Sequence, residues 1–314
     1  MSRRAGQVEG RPDADTPVRV IGEVLARRRE GAYWMVSFSA PELADRARPG
    51  QFVEVGVEQK YSLLRRPFSI ARVSRQGPAA GTVDVVFDVS GPGTEWLTQL
   101  ALHDLVDVVG PLGTPFPLPK RQVPCLLVGG GYGAAPLFYL ADELTRGGLR
   151  VDMIIGAATR ERILNPIEAK RASATVTFTT EDGSHGVQGR VTDVLAQTVE
   201  ACRSAVVYAC GPMPMLRAVS EACMELELPV QVAVEEHMAC GVGVCFTCVL
   251  PVRGKDGQVR MRRACLDGPV FNGSRVAWDE TRFDLGPPPV DAEEDDEDEE
   301  PLARLSDDDL WGDE

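Results

Sequence analysis

The chain has 314 residues, 44% of them hydrophobic and 25% charged, which is the composition of an ordinary globular protein with room for two or three domains. Its formal charge of −14 belongs almost wholly to one end: residues 286–314 hold 14 acids and one arginine, and the rest is nearly neutral. That balance excludes a nucleic-acid binder built on a basic surface, and the lack of eighteen uninterrupted apolar residues excludes a membrane-spanning helix.

Residues 1–16, "MSRRAGQVEGRPDADT", read as a disordered polar lead. No apolar run of the secretory kind precedes residue 17, so a cytoplasmic protein is expected. From 17 to 119 the chain is a series of short β-rich runs, "VRVIGEVLAR", "YWMVSFSA", "QFVEVGV", "FSIARVS", "TVDVVFDV" and "LVDVVGPLG". Runs at this spacing predict an antiparallel barrel or sandwich, interrupted by one helix over "GTEWLTQLALH". From 120 to 228 strands alternate with helices: "PCLLVGG", "APLFYLADELTRGG", "RVDMIIGAAT", "ATVTFTTED", "RVTDVLAQTVEA", "SAVVYACGP" and "MPMLRAVSEACMEL". This alternation predicts a doubly wound parallel sheet. Residues 229–285 begin with "VQVAVEEHM" and continue into a cysteine-rich segment, a third small domain. Behind "GPPP", residues 286–314 have nothing to bury and are expected to be disordered, either as an acidic docking tail or as a solubilising extension. The fold class is therefore β plus α/β, in several domains.

"MACGVGVCFTC", residues 238–248, concentrates three of the eight cysteines, and Cys265 in "RRACLDGPVF" supplies a fourth. The spacing Cys240-x4-Cys245-x2-Cys248-x16-Cys265 differs from the two short pairs of most structural zinc sites. A triplet with a remote single matches plant-type ligation of a [2Fe–2S] cluster. Gly241 and Gly243 would let the loop turn its N–H groups towards sulfur. Structural zinc, which would make the segment a binding module, and unligated buried thiols are the competing readings. Cys125, Cys202 and Cys223 read as small core residues. Cys210, at a strand's C-terminal end, reads either as core or as lining a site. His103, His185 and His237 read as surface or turn residues.

"RRPFSI", residues 65–70, places an arginine before a proline, an extended turn that can aim a guanidinium at a phosphate, with the Ser69 hydroxyl close by. "VGGGYGAAP", residues 128–136, follows a strand and opens a helix, so its glycines would let a pyrophosphate approach the backbone. It is not the full G-x-G-x-x-G pattern, and a plain strand-to-helix turn is the other reading.

Together, "RRPFSI", "GGGYGAAP" and "CGPMPM" resemble the ferredoxin–NADP reductase superfamily. With the cysteine segment and "CLDGPVF" added, residues 17–284 resemble the electron-transfer subunits of class B dihydroorotate dehydrogenases. The resemblance implies that Arg66, Pro67, Phe68 and Ser69 contact FAD, joined by Val86, Phe87 and Asp88 and by Gly93 and Thr94. Asp88 departs from the neutral or basic residue expected beside the cofactor's phosphates, and its side chain is expected to point away. Gly129, Gly130, Gly131, Gly133, Cys210 and Gly211 would hold NAD as substrate, and Cys240, Cys245, Cys248 and Cys265 the [2Fe–2S] cluster. No side chain is expected to act as a catalytic acid or base, because the cofactors carry the chemistry. With no eightfold β/α repeat in the chain, the resemblance implies a separate FMN-containing catalytic subunit, in a heterotetramer of two plus two. Electrons from dihydroorotate would pass to NAD+ in de novo pyrimidine (UMP) biosynthesis, without nucleic-acid or membrane partners. Subunits of sulfhydrogenases and transhydrogenases share this layout, which leaves an NAD(P)H oxidoreductase role as the alternative. In that branch a carboxylate often replaces the first cysteine, so Cys240 favours the pyrimidine enzyme.

Overall fold

Val and Phe alternating with polar residues give the first half of the chain its strands. In the computed structural model, which describes residues 16–58 and 60–281, these are β1 (Val18–Glu30), β2 (Tyr33–Ser39), β3 (Phe52–Val55), β4 (Arg66–Ser74), β5 (Thr82–Phe87) and β6 (Leu105–Leu112). They close an antiparallel barrel in the order β1-β2-β5-β4-β3-β6. β1 is long enough to pair with both β2 and β6, and its register slips between Val24 and Ala26. Such a bulge bends a strand and helps it turn from one partner to the other. Inside lie Val53, Val55, Ile70, Val85, Phe87 and Val108, packed with Leu43 and Ala44 of the short helix α1 (Pro41–Arg46).

The helix expected over residues 93–103 is shorter: α2 spans Pro92–Leu97. Strand pairing takes the residues behind it. The His103 N–H donates to the Val24 carbonyl at 2.9 Å, and the Val24 N–H to the Asp104 carbonyl at 2.9 Å.

The second half alternates β7 (Cys125–Gly130), α3 (Ala135–Arg146), β8 (Val151–Ala157), α4 (Pro166–Ala172), β9 (Thr175–Thr180), β10 (Val187–Gln188), α5 (Val191–Cys202), β11 (Val206–Cys210), α6 (Met213–Glu225) and β12 (Val230–Ala233). β7 and β11 are buried along their whole length, as parallel strands covered on both faces must be. Then come the hairpin β13 (Val249–Arg253) and β14 (Val259–Arg263), and β15 (Val270–Asn272). The sheet order is β10-β9-β8-β7-β11-β12-β15, parallel except for β15, which runs antiparallel on β12. The segment read as a separate cysteine domain from residue 229 thus opens and nearly closes as strands of the nucleotide sheet, and the cysteine loop and hairpin are an excursion between them. The sequence readings of residues 1–15 and 282–314 lie outside the described residues.

Barrel and sheet are docked through polar contacts. The Arg75 guanidinium donates to the Tyr139 hydroxyl at 2.8 Å and meets Glu143 at 3.2 Å, Arg72 pairs with Glu168, and Tyr139 donates to the Ala47 carbonyl at 2.7 Å. Among the described residues no helix is long and apolar enough to cross a membrane.

Candidate functional site

Between barrel and sheet runs a groove of about 350 Å³. Arg66, Pro67, Phe68 and Ser69 of β4, Val86 and Phe87 of β5, then Asp88 and Thr94 all line it. Phe68 and Phe87 lie with ring centres 5.4 Å apart. The Thr94 hydroxyl accepts from the N–H groups of Ser90 and Gly91 at 3.0 and 3.1 Å, which holds the "SGPG" turn in place. Gly93 does not line the groove but lies beneath Arg66: a Cβ there would come within 3.0 Å of the Arg66 Nε. Asp88 lines the groove, yet its carboxylate is turned to Arg162 at 3.0 Å. The expected departure is thus a contact between barrel and sheet.

The opposite wall of the groove was not expected from sequence. Tyr132, Gly133, Ala135 and Pro136 of the glycine-rich turn contribute to it, and so does the run from Val234 to Met238, including His237. That run leads, with one residue between, to Cys240. The chain segment closing the groove therefore continues directly into the cysteine loop.

A second cleft, of about 470 Å³, opens at the C-terminal ends of the parallel strands, where doubly wound folds bind ligands. Gly130 and Gly131 line it, with Gly156, Arg162, Glu181 and Arg190 among its other residues. Gly131 has φ +57°, a left-handed conformation that glycine adopts without strain. Gly129, Cys210 and Gly211 line neither cavity and serve packing instead. A Cβ on Gly129 would lie 2.8 Å from the Ala134 Cβ, and one on Gly133 would lie 2.6 Å from the Gly211 Cα. Cys210 belongs to the core on one face of the sheet, and burial, with the Glu235 charge adding to it, pushes its thiol well above the usual range.

The four cysteines of the loop come together as two pairs. The Cys240 and Cys245 side chains meet, as do those of Cys248 and Cys265. N–H and hydroxyl groups point at all four sulfurs: Gly243 at Cys265 (3.1 Å), Val244 at Cys240 (3.3 Å), Cys265 at Cys248 (3.4 Å), and the Thr247 hydroxyl at Cys245 (3.2 Å). Gly241, Gly243 and Phe246 achieve this with positive φ values of 65°, 80° and 57°. The Thr247 hydroxyl and N–H, with Cys240, bring the Cys245 thiol down to about 6, while burial drives Cys265 up to about 12. Cys248 and Cys265 are buried with Leu250 and Trp278, whereas Cys245 is exposed. No three metal-ligating side chains among the described residues converge on a single point. Four thiols in two pairs, with donors aimed at sulfur, suit a cluster with two irons, each taking two thiolates.

Behind the loop lies a carboxylate that sequence reasoning missed. Glu54 of β3 is 1% exposed, and neither of its oxygens has a hydrogen-bond partner. A Cβ on Gly241 would fall within 2.3 Å of its Oε1. Burial raises its carboxyl to about 7 against the pull of Arg65 and Arg66.

Comparisons with known proteins agree with this geometry. The model of the iron–sulfur cluster binding domain of dihydroorotate dehydrogenase B matches residues 235–277, and that of the oxidoreductase NAD-binding domain matches residues 127–221. The dihydroorotate dehydrogenase B (NAD(+)) electron transfer subunit of Desulforamulus reducens is 39% identical over 79% of this chain and 93% of its own. Its counterpart from Geobacillus kaustophilus is 42% identical over 73% and 86%. Among solved structures, an NADH-dependent reduced ferredoxin-NADP oxidoreductase superposes with a TM-score of 0.74 at 30% identity, covering 85% of this chain and 93% of its own. The ferredoxin reductase of carbazole 1,9a-dioxygenase shares the fold at a TM-score of 0.59 and 21% identity, over 69% of each chain.

Proposed function

This chain belongs to the family of dihydroorotate dehydrogenase B electron transfer subunits, and from that premise we propose that it delivers to NAD+ the electrons that a separate, FMN-bearing catalytic subunit takes from dihydroorotate. Two copies of each subunit would form the complex, in the step of pyrimidine synthesis that makes orotate. With eight unpaired cysteines and NAD as acceptor, the cytoplasm is the compartment that suits it. The observation that carries the reading is the continuous segment from Val234 to Cys248, which lines the groove with one end and bears three of the four paired thiols on the other.

FAD in the groove and a [2Fe–2S] cluster on the thiols, when bound, supply the conversion between hydride exchange and single-electron flow. The chain's own residues bind and orient. Arg66 and the Ser69 hydroxyl face the groove as partners for phosphate and ribose, and the Phe68–Phe87 pair gives it an apolar wall. Gly130 and Gly131 leave the backbone bare for a pyrophosphate, with Arg162 and Arg190 as nearby cations. The donors on the cysteine loop stabilise thiolates, and Thr247 holds Cys245 in that form at neutral pH. Around Cys245, Val242, Val244, Phe246 and Leu266 expose apolar surface, which suits a docked partner that must approach closely and exclude water.

The TM-score of 0.74 to the NADH-dependent reduced ferredoxin-NADP oxidoreductase supports a second reading, an NAD(P)H oxidoreductase subunit of a transhydrogenase-type complex. Affinity purification from the native cell separates the two. A co-purifying FMN subunit and dihydroorotate-dependent NAD+ reduction are expected; a complex reducing ferredoxin or NADP+ and inert to dihydroorotate would favour the second.

A further inference from the structure

The groove and the cleft are built from different elements, yet two side chains, Tyr132 and Glu235, line both. They touch: the Glu235 carboxylate accepts a hydrogen bond from Tyr132. Glu235 is crowded by protein on most sides and opens onto the two cavities. On its other side Tyr132 rests against Tyr33, with ring centres 5.7 Å apart and planes at 67°. Tyr33 is in turn anchored by its hydroxyl, which donates to the Arg162 carbonyl at 3.0 Å. Tyr132 sits on the single turn Gly131–Ala134, and its side chain is 39% exposed, so it has space to swing.

A hydride donor and acceptor must approach to about 3–3.5 Å. A nicotinamide confined to the cleft and a flavin confined to the groove would face each other across this pair. We propose that Tyr132, latched by Glu235, is a movable partition that fills the nicotinamide position while the cleft is empty and is displaced by the ring when NAD(H) binds. This rests on the functional reading above, in which the groove holds FAD and the cleft NAD. Opening breaks one hydrogen bond and moves no proton or electron; the hydride then passes directly between the two rings. Displacing the partition weakens NAD(H) binding in proportion to the fraction of molecules in which it is closed. The device therefore favours release of the product nucleotide, and Tyr132 is a positioning residue.

The test uses anaerobically purified, FAD-containing protein. NAD+ affinity is measured by calorimetry, and stacking by the long-wavelength nicotinamide–flavin absorbance that appears on mixing. Tyr132→Ala is expected to bind NAD+ about tenfold more tightly than wild type, with a stronger stacking band. Tyr132→Phe keeps the ring without the latch and is expected to bind roughly threefold more tightly. If Tyr132→Ala loses FAD, Tyr132→Phe carries the test alone. NAD+ affinity at or below the wild-type value in the FAD-loaded variants overturns the partition. Wild-type protein that binds no FAD or no NAD+ overturns the functional reading first.

Discussion

Glu54 is a carboxylate that the fold holds without a partner, and replacing it by glutamine gives a measurable consequence. Burial raises its carboxyl from 4.5 to about 7, and each pH unit between the two values corresponds to about 1.4 kcal/mol. A carboxyl raised in the folded state is held without penalty below its unfolded value, and stability is lost as the pH climbs towards the folded one. Between about pH 5 and about pH 8 wild type should therefore lose roughly 2.5 kcal/mol that Glu54→Gln does not lose. The glutamine amide is itself unpartnered and costs about 1–3 kcal/mol, but that cost does not vary with pH. At about 2 °C per kcal/mol for a chain of this size, the melting temperature of the variant minus that of wild type should rise by roughly 5 °C over this range. Thermal scans of both proteins, prepared anaerobically in the same buffers, provide the comparison. A difference independent of pH would refute the argument, because it would mean that Glu54 is paired or hydrated.

Three other substitutions test other parts of the account. Cys248→Ser should leave FAD bound and reducible by NADH while iron is lost and dihydroorotate-to-NAD turnover falls by at least about 100-fold, read from metal analysis and a coupled assay; retained turnover would contradict the wiring. Gly133→Ala drives a Cβ to 2.6 Å from the Gly211 backbone, which cannot yield, so a loss of about 1–3 kcal/mol is expected in thermal unfolding together with weaker FAD binding. Asp88→Asn removes a pair whose side chains are 30% and 49% exposed, so stability should change by less than about 1 kcal/mol. The freed Arg162 should leave NAD+ affinity unchanged or improved in calorimetry.

The cysteine spacing and the "RRPFSI" and "GGGYGAAP" motifs were legible because each is local: the residues that act together are neighbours in the chain. The two-layer architecture was legible for the same reason, as a change from β-rich runs to alternating strands and helices. α1 and α4 carried readable signals in Pro41 and in the pair Asn165–Pro166, prolines at a first helical turn, as did the β13–β14 hairpin in Asp256–Gly257. These were overlooked because short amphipathic pieces have little periodicity of their own. The helix over residues 93–103 was read too long because the pattern cannot register the competing pairing of His103 and Asp104 with Val24. Tyr132, Glu235 and Glu54 escaped for a different reason. Tyr132 faces Glu235, and Glu54 faces Gly241, across more than a hundred residues of chain, and no local pattern records such a meeting.

The most direct test of the central claim is an anaerobic titration of the purified holoprotein with NADH, followed by visible absorbance after iron, sulfide and flavin have been counted. The account predicts about two irons, two acid-labile sulfides and one FAD per chain, with both the flavin and the iron–sulfur absorbance bleaching as NADH is added. Zinc in place of iron, or an iron–sulfur band that NADH leaves untouched while the flavin bleaches, would contradict it.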